Sequence, residues 1–217
     1  MRSFAFLVSA LVTSLAWTIY TFTIMMVYTN PVWPRAIVGG IAGILFGSLV
    51  AAGQYALLAD RIPRPAKWFS LSILGWSVAG LLTALTCPLI APGGLGNDFI
   101  LGLALGGALV ALLQWAALIH INVRPIPFIP ATSAIWALAG FLSWKLYESL
   151  YRNNTLTPES ITLPLLSNYT DTGFQQEIIS GFAGALISGL VMGTLTSCLL
   201  VLTARAKHSA PSEPPPH

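Results

Sequence analysis

The sequence predicts an all-α integral membrane protein with six transmembrane helices arranged as three repeated helical hairpins. Three observations predict it. Of 217 residues, 55% are hydrophobic and only 8% charged, where a soluble domain carries about 25% charged residues, and mean hydropathy is +0.77. Six apolar runs are each long enough to cross a hydrocarbon core of about 30 Å. The stretch from Leu45 to Leu82 recurs, without gaps, from Leu105 to Leu142.

The first span is expected near 4–28. Met1-Arg2 followed by an apolar run resembles a signal peptide, but the run exceeds a signal h-region of about 7–15 residues. No small-x-small cleavage site precedes Pro31. It is read as a retained span. The next spans are expected near 36–58, 67–91, 97–121, 128–151 and 176–203. Proline lacks the N–H that helix interiors need, so proline clusters belong at helix ends. Asn30-Pro31 and Pro34-Arg35 mark the first break; Arg61, Pro63, Arg64, Pro65 and Lys67 fill the second. Pro88, Pro92, Gly93, Gly94 and Asp98 form the third, and Arg124-Pro125 with Pro127 the fourth. Residues 152–175, rich in Asn, Thr and Ser, form the one long loop, read as extracytoplasmic. The tail 209–217, SAPSEPPPH, has too little apolar surface to order itself and is read as a disordered cytoplasmic end.

Orientation follows from alternate loops. Arg2, Arg61, Arg64, Lys67, Arg124, Arg205 and Lys207 collect on one side; Arg35, Lys145 and Arg152 collect on the other. Seven against three puts both termini in the cytoplasm. A formal net charge of +3 suits loops touching anionic lipid and is too weak and dispersed for nucleic acid.

Aligned at a spacing of 60, the two copies share fourteen of thirty-eight positions, including Gln54 with Gln114, Arg64-Pro65 with Arg124-Pro125, and Trp76 with Trp136. Composition alone would give about four, so the repeat is read as real. Trp17, in Leu15-Ala16-Trp17-Thr18-Ile19, extends the pattern, and the last span resembles the Gly-rich helix of the repeat with its glutamine missing. Three hairpins are therefore expected, spans 1–2, 3–4 and 5–6, each leading with a Trp helix and returning on a Gly-rich helix.

The glycines have a packing role. Lipid supplies no hydrophobic push between helices, so close backbone approach and dispersion hold them together. Gly39, Gly43 and Gly47, then Gly102 and Gly106, then Gly189 and Gly193, recur at four-residue spacing and give each helix a smooth face. Trp17, Trp76 and Trp136 are expected to pack deep in the membrane against such faces. Gln54 and Gln114 are amides in hydrocarbon and need partners. They are candidates for interhelical hydrogen bonds or for contacts to a polar ligand in a central cleft.

No catalytic motif, phosphate loop or metal-ligand cluster occurs. His120 stands alone near the membrane, and no carboxylate lies in mid-span. No catalytic residue, cofactor or metal is therefore expected. Cys87 and Cys198 fall at opposite depths and are not expected to pair.

The unit Gly47…Gln54-Tyr55-Ala-Leu-Leu…Trp76, repeated as Gly107…Gln114-Trp115-Ala-Ala-Leu…Trp136, resembles repeats in uncharacterised polytopic membrane proteins of bacteria, cyanobacteria among them. In those proteins Gln-Trp is usually followed by Leu and a basic residue at the helix end. Here Tyr55 replaces Trp in the first copy and the basic residue comes later. The resemblance covers about residues 36–142 and implies no established activity. The expectation is a non-enzymatic membrane protein, an accessory or scaffold subunit packing against lipid and a larger membrane complex. The competing expectation is a small-molecule transporter or its substrate-binding membrane subunit, with Gln54 and Gln114 as ligand contacts. A bacterial inner membrane or a thylakoid membrane suits either.

Overall fold

The computed structural model describes residues 2–27, 32–60, 62, 64–90, 95–119, 125–152 and 172–205. The expected loop at 153–171, the tail at 206–217, His120 and the side chain of Cys87 lie outside the described residues. The described residues form six helices and no strand: α1 (Arg2–Val27), α2 (Val32–Leu58), α3 (Pro65–Ile90), α4 (Leu95–Leu118), α5 (Pro125–Arg152) and α6 (Thr172–Arg205). All six are long and apolar enough to cross a membrane, the candidate spans running from 20 to 26 residues.

The helices start earlier than the prolines suggest. Pro34 lies in the first turn of α2, and Pro125 and Pro127 in the first turn of α5. The first-turn N–H groups have no acceptor within the helix, so a proline there forfeits no hydrogen bond. Pro130 lies within α5 and is exposed. α6 begins at Thr172, four residues before the expected span.

Each helix packs on its sequence neighbours, and α6 packs on α1, which closes a six-membered ring. α1 and α6 run antiparallel: Ser9 meets Ser197 near one end, and the Phe22 and Phe182 rings meet further along, 5.8 Å apart. Large apolar side chains are exposed on every helix, among them Leu11, Ile41, Leu74, Leu105, Leu138 and Leu190. Among the described residues the buried polar side chains are all Ser, Thr or Gln. Apolar groups outside and uncharged polar groups inside is the arrangement a hydrocarbon solvent favours.

At one level the centre of the ring is filled by aromatic rings. Trp17 (α1), Trp76 (α3) and Trp136 (α5) are buried and touch one another, with ring centroids 6.2 Å apart for Trp17–Trp76, 5.1 Å for Trp17–Trp136 and 4.6 Å for Trp76–Trp136. Tyr20 adds a fourth ring, edge-on to Trp76 at 5.3 Å. Two of the three Trp–Trp pairs are close to T-shaped, which sets a positive ring edge on a negative face. A second apolar cluster, with Leu57, Leu58, Trp68, Leu118, Phe128 and Leu200, fills the bundle toward the α2–α3 connection.

Candidate functional site

The glycines admit the tryptophans. A Cβ on Gly47 would collide with the Cβ of Trp76, and a Cβ on Gly107 would stand 2.6 Å from Cγ of Trp136. The same geometry thus recurs between α2 and α3 and between α4 and α5. Where α6 meets α1, Trp17 has a hydroxyl for a partner: its indole N–H donates to Ser188 Oγ at 3.2 Å. Ser188 also hydrogen-bonds Ser143 of α5, and Thr18 donates to the Ala185 carbonyl at 3.3 Å. Gly189 and Gly193 press on Ser14 and Thr18 of α1 in the same seam. Gly39 and Gly80 oppose each other backbone to backbone, and Gly43 lies against the Trp76 carbonyl. Gly106 sits against Ala79 and Trp136, and the carbonyl of Gly102 accepts a hydrogen bond from Thr83 Oγ1 at 3.2 Å.

One turn from the tryptophans, toward the α2–α3 connection, is a polar layer. Gln114 Nε2 donates to Gln54 Oε1 at 3.2 Å and to Ser72 Oγ at 3.1 Å. Both amides are buried, Gln54 2% and Gln114 3% exposed, so α2, α3 and α4 are tied together through three polar side chains. Thr13, Ser72 and Thr132 each stand four residues before a central tryptophan, and all three are buried. Thr132 turns its hydroxyl back to the Phe128 carbonyl at 2.9 Å. This hydroxyl layer is absent from the sequence-based expectations. Its signal nonetheless occurs three times in the chain, as Thr13-x3-Trp17, Ser72-x3-Trp76 and Thr132-x3-Trp136.

No protein-family model, curated protein or solved structure matches the chain. The chemistry therefore rests on the side chains alone. Among the described residues no cluster of His, Cys, Asp or Glu could hold a metal ion. Cys198 is a free thiol. The ion pair between Lys145 and Glu148, 3.0 Å long, spans one turn of α5 with Lys145 56% exposed. Such surface pairs contribute little, about 0–1 kcal/mol.

The amide pair makes a sharp mutational prediction. An interhelical hydrogen bond in a membrane averages about 0.6 kcal/mol, but a buried polar group stripped of its partner costs about 1–3 kcal/mol. Gln114→Leu removes the donor to both Gln54 and Ser72 and is expected to destabilise by about 1–3 kcal/mol. In the double variant Gln54→Leu/Gln114→Leu, no amide is left unmatched by the other. Its cost is expected to fall below the sum of the two single costs. A double-mutant cycle in lipid bicelles measures the difference, and strict additivity would show that the two amides do not interact.

Proposed function

We propose that this protein is a non-enzymatic multi-pass membrane protein, an accessory or scaffold subunit that packs laterally against lipid and a larger membrane complex. The observation that carries the reading is the aromatic layer that blocks the centre. Three tryptophan rings in mutual contact occupy the axis of the ring, where a transporter needs a path that opens to alternate sides. The apolar side chains exposed on all six helices suit lipid and helix–helix contacts with a partner. The architecture we infer is a threefold repeat of one packed helix pair, α2–α3, α4–α5 and α6–α1, which runs across the junctions of the expected hairpins α1–α2, α3–α4 and α5–α6; the last pair meets without a direct covalent link. The Gly47–Trp76 and Gly107–Trp136 contacts support it. So does the Trp17–Ser188 contact in the third pair. The charge bias of the connections supports cytoplasmic termini in a bacterial inner or thylakoid membrane.

Extraction of native membranes in a mild detergent, followed by native mass spectrometry, tests the proposal. A stable particle containing this chain and other subunits is expected. A chain that runs alone, in preparations where known complexes of the same membrane stay intact, would overturn the scaffold reading.

A further inference from the structure

Two buried polar groups beside the amide layer have no hydrogen-bond partner within the protein: the Thr13 hydroxyl and the Trp68 indole N–H. Both residues are fully buried. Each is linked to the amide pair through a neighbouring residue. Trp68 stands one turn before Ser72 on the same face of α3, and Ser72 accepts from Gln114. Thr13 and Ser72 each stand one turn before a central tryptophan, and the Trp17 and Trp76 rings touch at 6.2 Å, which sets the two hydroxyls at one depth. Gly53, the neighbour of Gln54, packs against Ser9 and Val12 of α1, which brings the Thr13 turn alongside the amide pair. The layer lies between the tryptophan cluster and the second apolar cluster, in which the Trp68 ring itself packs with Leu57, Leu58 and Leu118.

The donor set defines what fits. An indole N–H only donates, so the guest must bring an acceptor oxygen. The threonine hydroxyl donates or accepts, so a guest with both functions satisfies both groups. All buried polar side chains among the described residues are uncharged, and an ion held there would have no counter-charge. We propose that Thr13, Trp68, Ser72, Gln54 and Gln114 form a closed binding site for a small uncharged molecule bearing a hydroxyl or carbonyl oxygen. Two sources share that chemistry: internal water, which commonly serves buried polar groups, and a small neutral polyol or amide. The site stands on its own geometry and does not depend on the scaffold reading.

The test uses the full chain in nanodiscs with 15N-labelled tryptophan indoles. Trp68→Phe identifies the Trp68 resonance; should that variant not fold, backbone assignment through Lys67 and Phe69 identifies it. The Trp17 indole, bonded to Ser188, is the internal reference for a hydrogen-bonded proton. The Trp68 proton is expected at a hydrogen-bonded shift like that of Trp17. Cross-relaxation with water assigns the guest as water; a saturable shift on titration with glycerol or acetamide assigns it as a solute. Thr13→Val is expected to move the Trp68 resonance and leave Trp144, in the C-terminal part of α5, in place. A Trp68 proton at the position of a free indole, unresponsive to water, glycerol and acetamide, would overturn the proposal. A hydrogen-bonded Trp68 proton indifferent to Thr13→Val would also overturn it, since the two groups would then not share one guest.

Discussion

Trp76→Ala is expected to destabilise the bundle by about 3–5 kcal/mol, the range for truncating a large aromatic in a close-packed core. Trp76 is 1% exposed and touches Trp17, Trp136 and Tyr20 at once. Its removal opens the axis of the ring and strips three aromatic pairs, each contributing about 0.5–1.5 kcal/mol beyond area burial. On the α2 side the void is walled by Gly47, which has no side chain that can swing in to fill it. The near-ultraviolet circular dichroism of the coupled indoles should collapse with the same substitution. Trp115→Ala is the control: that side chain is only half-buried and lies outside the triad. It should cost clearly less and leave the coupled signal in place. Equal losses for the two variants, in reversible unfolding from bicelles, would show that the triad is not the keystone of the fold.

The six spans could be read from the chain because hydropathy reports the solvent. An apolar run of about 20 residues without a charge matches the thickness of a hydrocarbon core and is too uniformly apolar for a helix with one wet face. Which side of each helix faces inward could not be read the same way. In water an inward face is apolar and the outward face polar, and a 3.6-residue stripe marks the boundary. In lipid both faces are apolar, as Leu49 (exposed) and Val50 (buried) on consecutive positions of α2 show. The stripe that survives is the polar and small one: Thr13 and Trp17 on α1, Ser72 and Trp76 on α3, Gly43, Gly47 and Gln54 on α2. The glycines and glutamines of that stripe stand out by residue type. The hydroxyls do not, because an isolated Ser or Thr is common in membrane helices and becomes informative only by its fixed offset from tryptophan.

The closure of the ring shows a second limit of the sequence. The identities at a spacing of 60 run from α2 to α5. The pairing of α6 with α1 brings together opposite ends of the chain, so no contiguous segment displays it. There the contact is built from different residues, Ser188 for Trp17 and Gly189 with Gly193 for Ser14 and Thr18. The same packing task is met by a hydroxyl and two glycines shifted along the helix, which leaves little identity to detect.

Gly43→Ala and Gly40→Ala, three residues apart on α2, should change stability in opposite directions. A Cβ on Gly43 would overlap the Trp76 carbonyl oxygen and stand 2.8 Å from Cα of Ser77. Those atoms are backbone of α3, and they cannot rotate away as the end of a flexible side chain would. The helices must separate, which loosens the Gly39–Gly80 approach one turn along and the Trp76 seat at Gly47 on the other side. Overpacking of this kind costs about 1–3 kcal/mol, and Gly43→Leu should prevent the α2–α3 pair from closing. A Cβ on Gly40 meets only Leu81 Cβ at 3.9 Å and its Cδ1 at 4.0 Å, ordinary van der Waals contact. There the substitution removes backbone freedom from the unfolded chain without a clash, and a gain of about 0.4–1 kcal/mol is expected. Both variants keep the hydropathy and length of the span, so insertion into the membrane is the same for each. Steric-trapping measurements on the two variants in bicelles read the difference directly. Equal effects would mean that α2 and α3 do not meet along the Gly39–Gly43–Gly47 face, and with that the seating of Trp76 against α2 would fall.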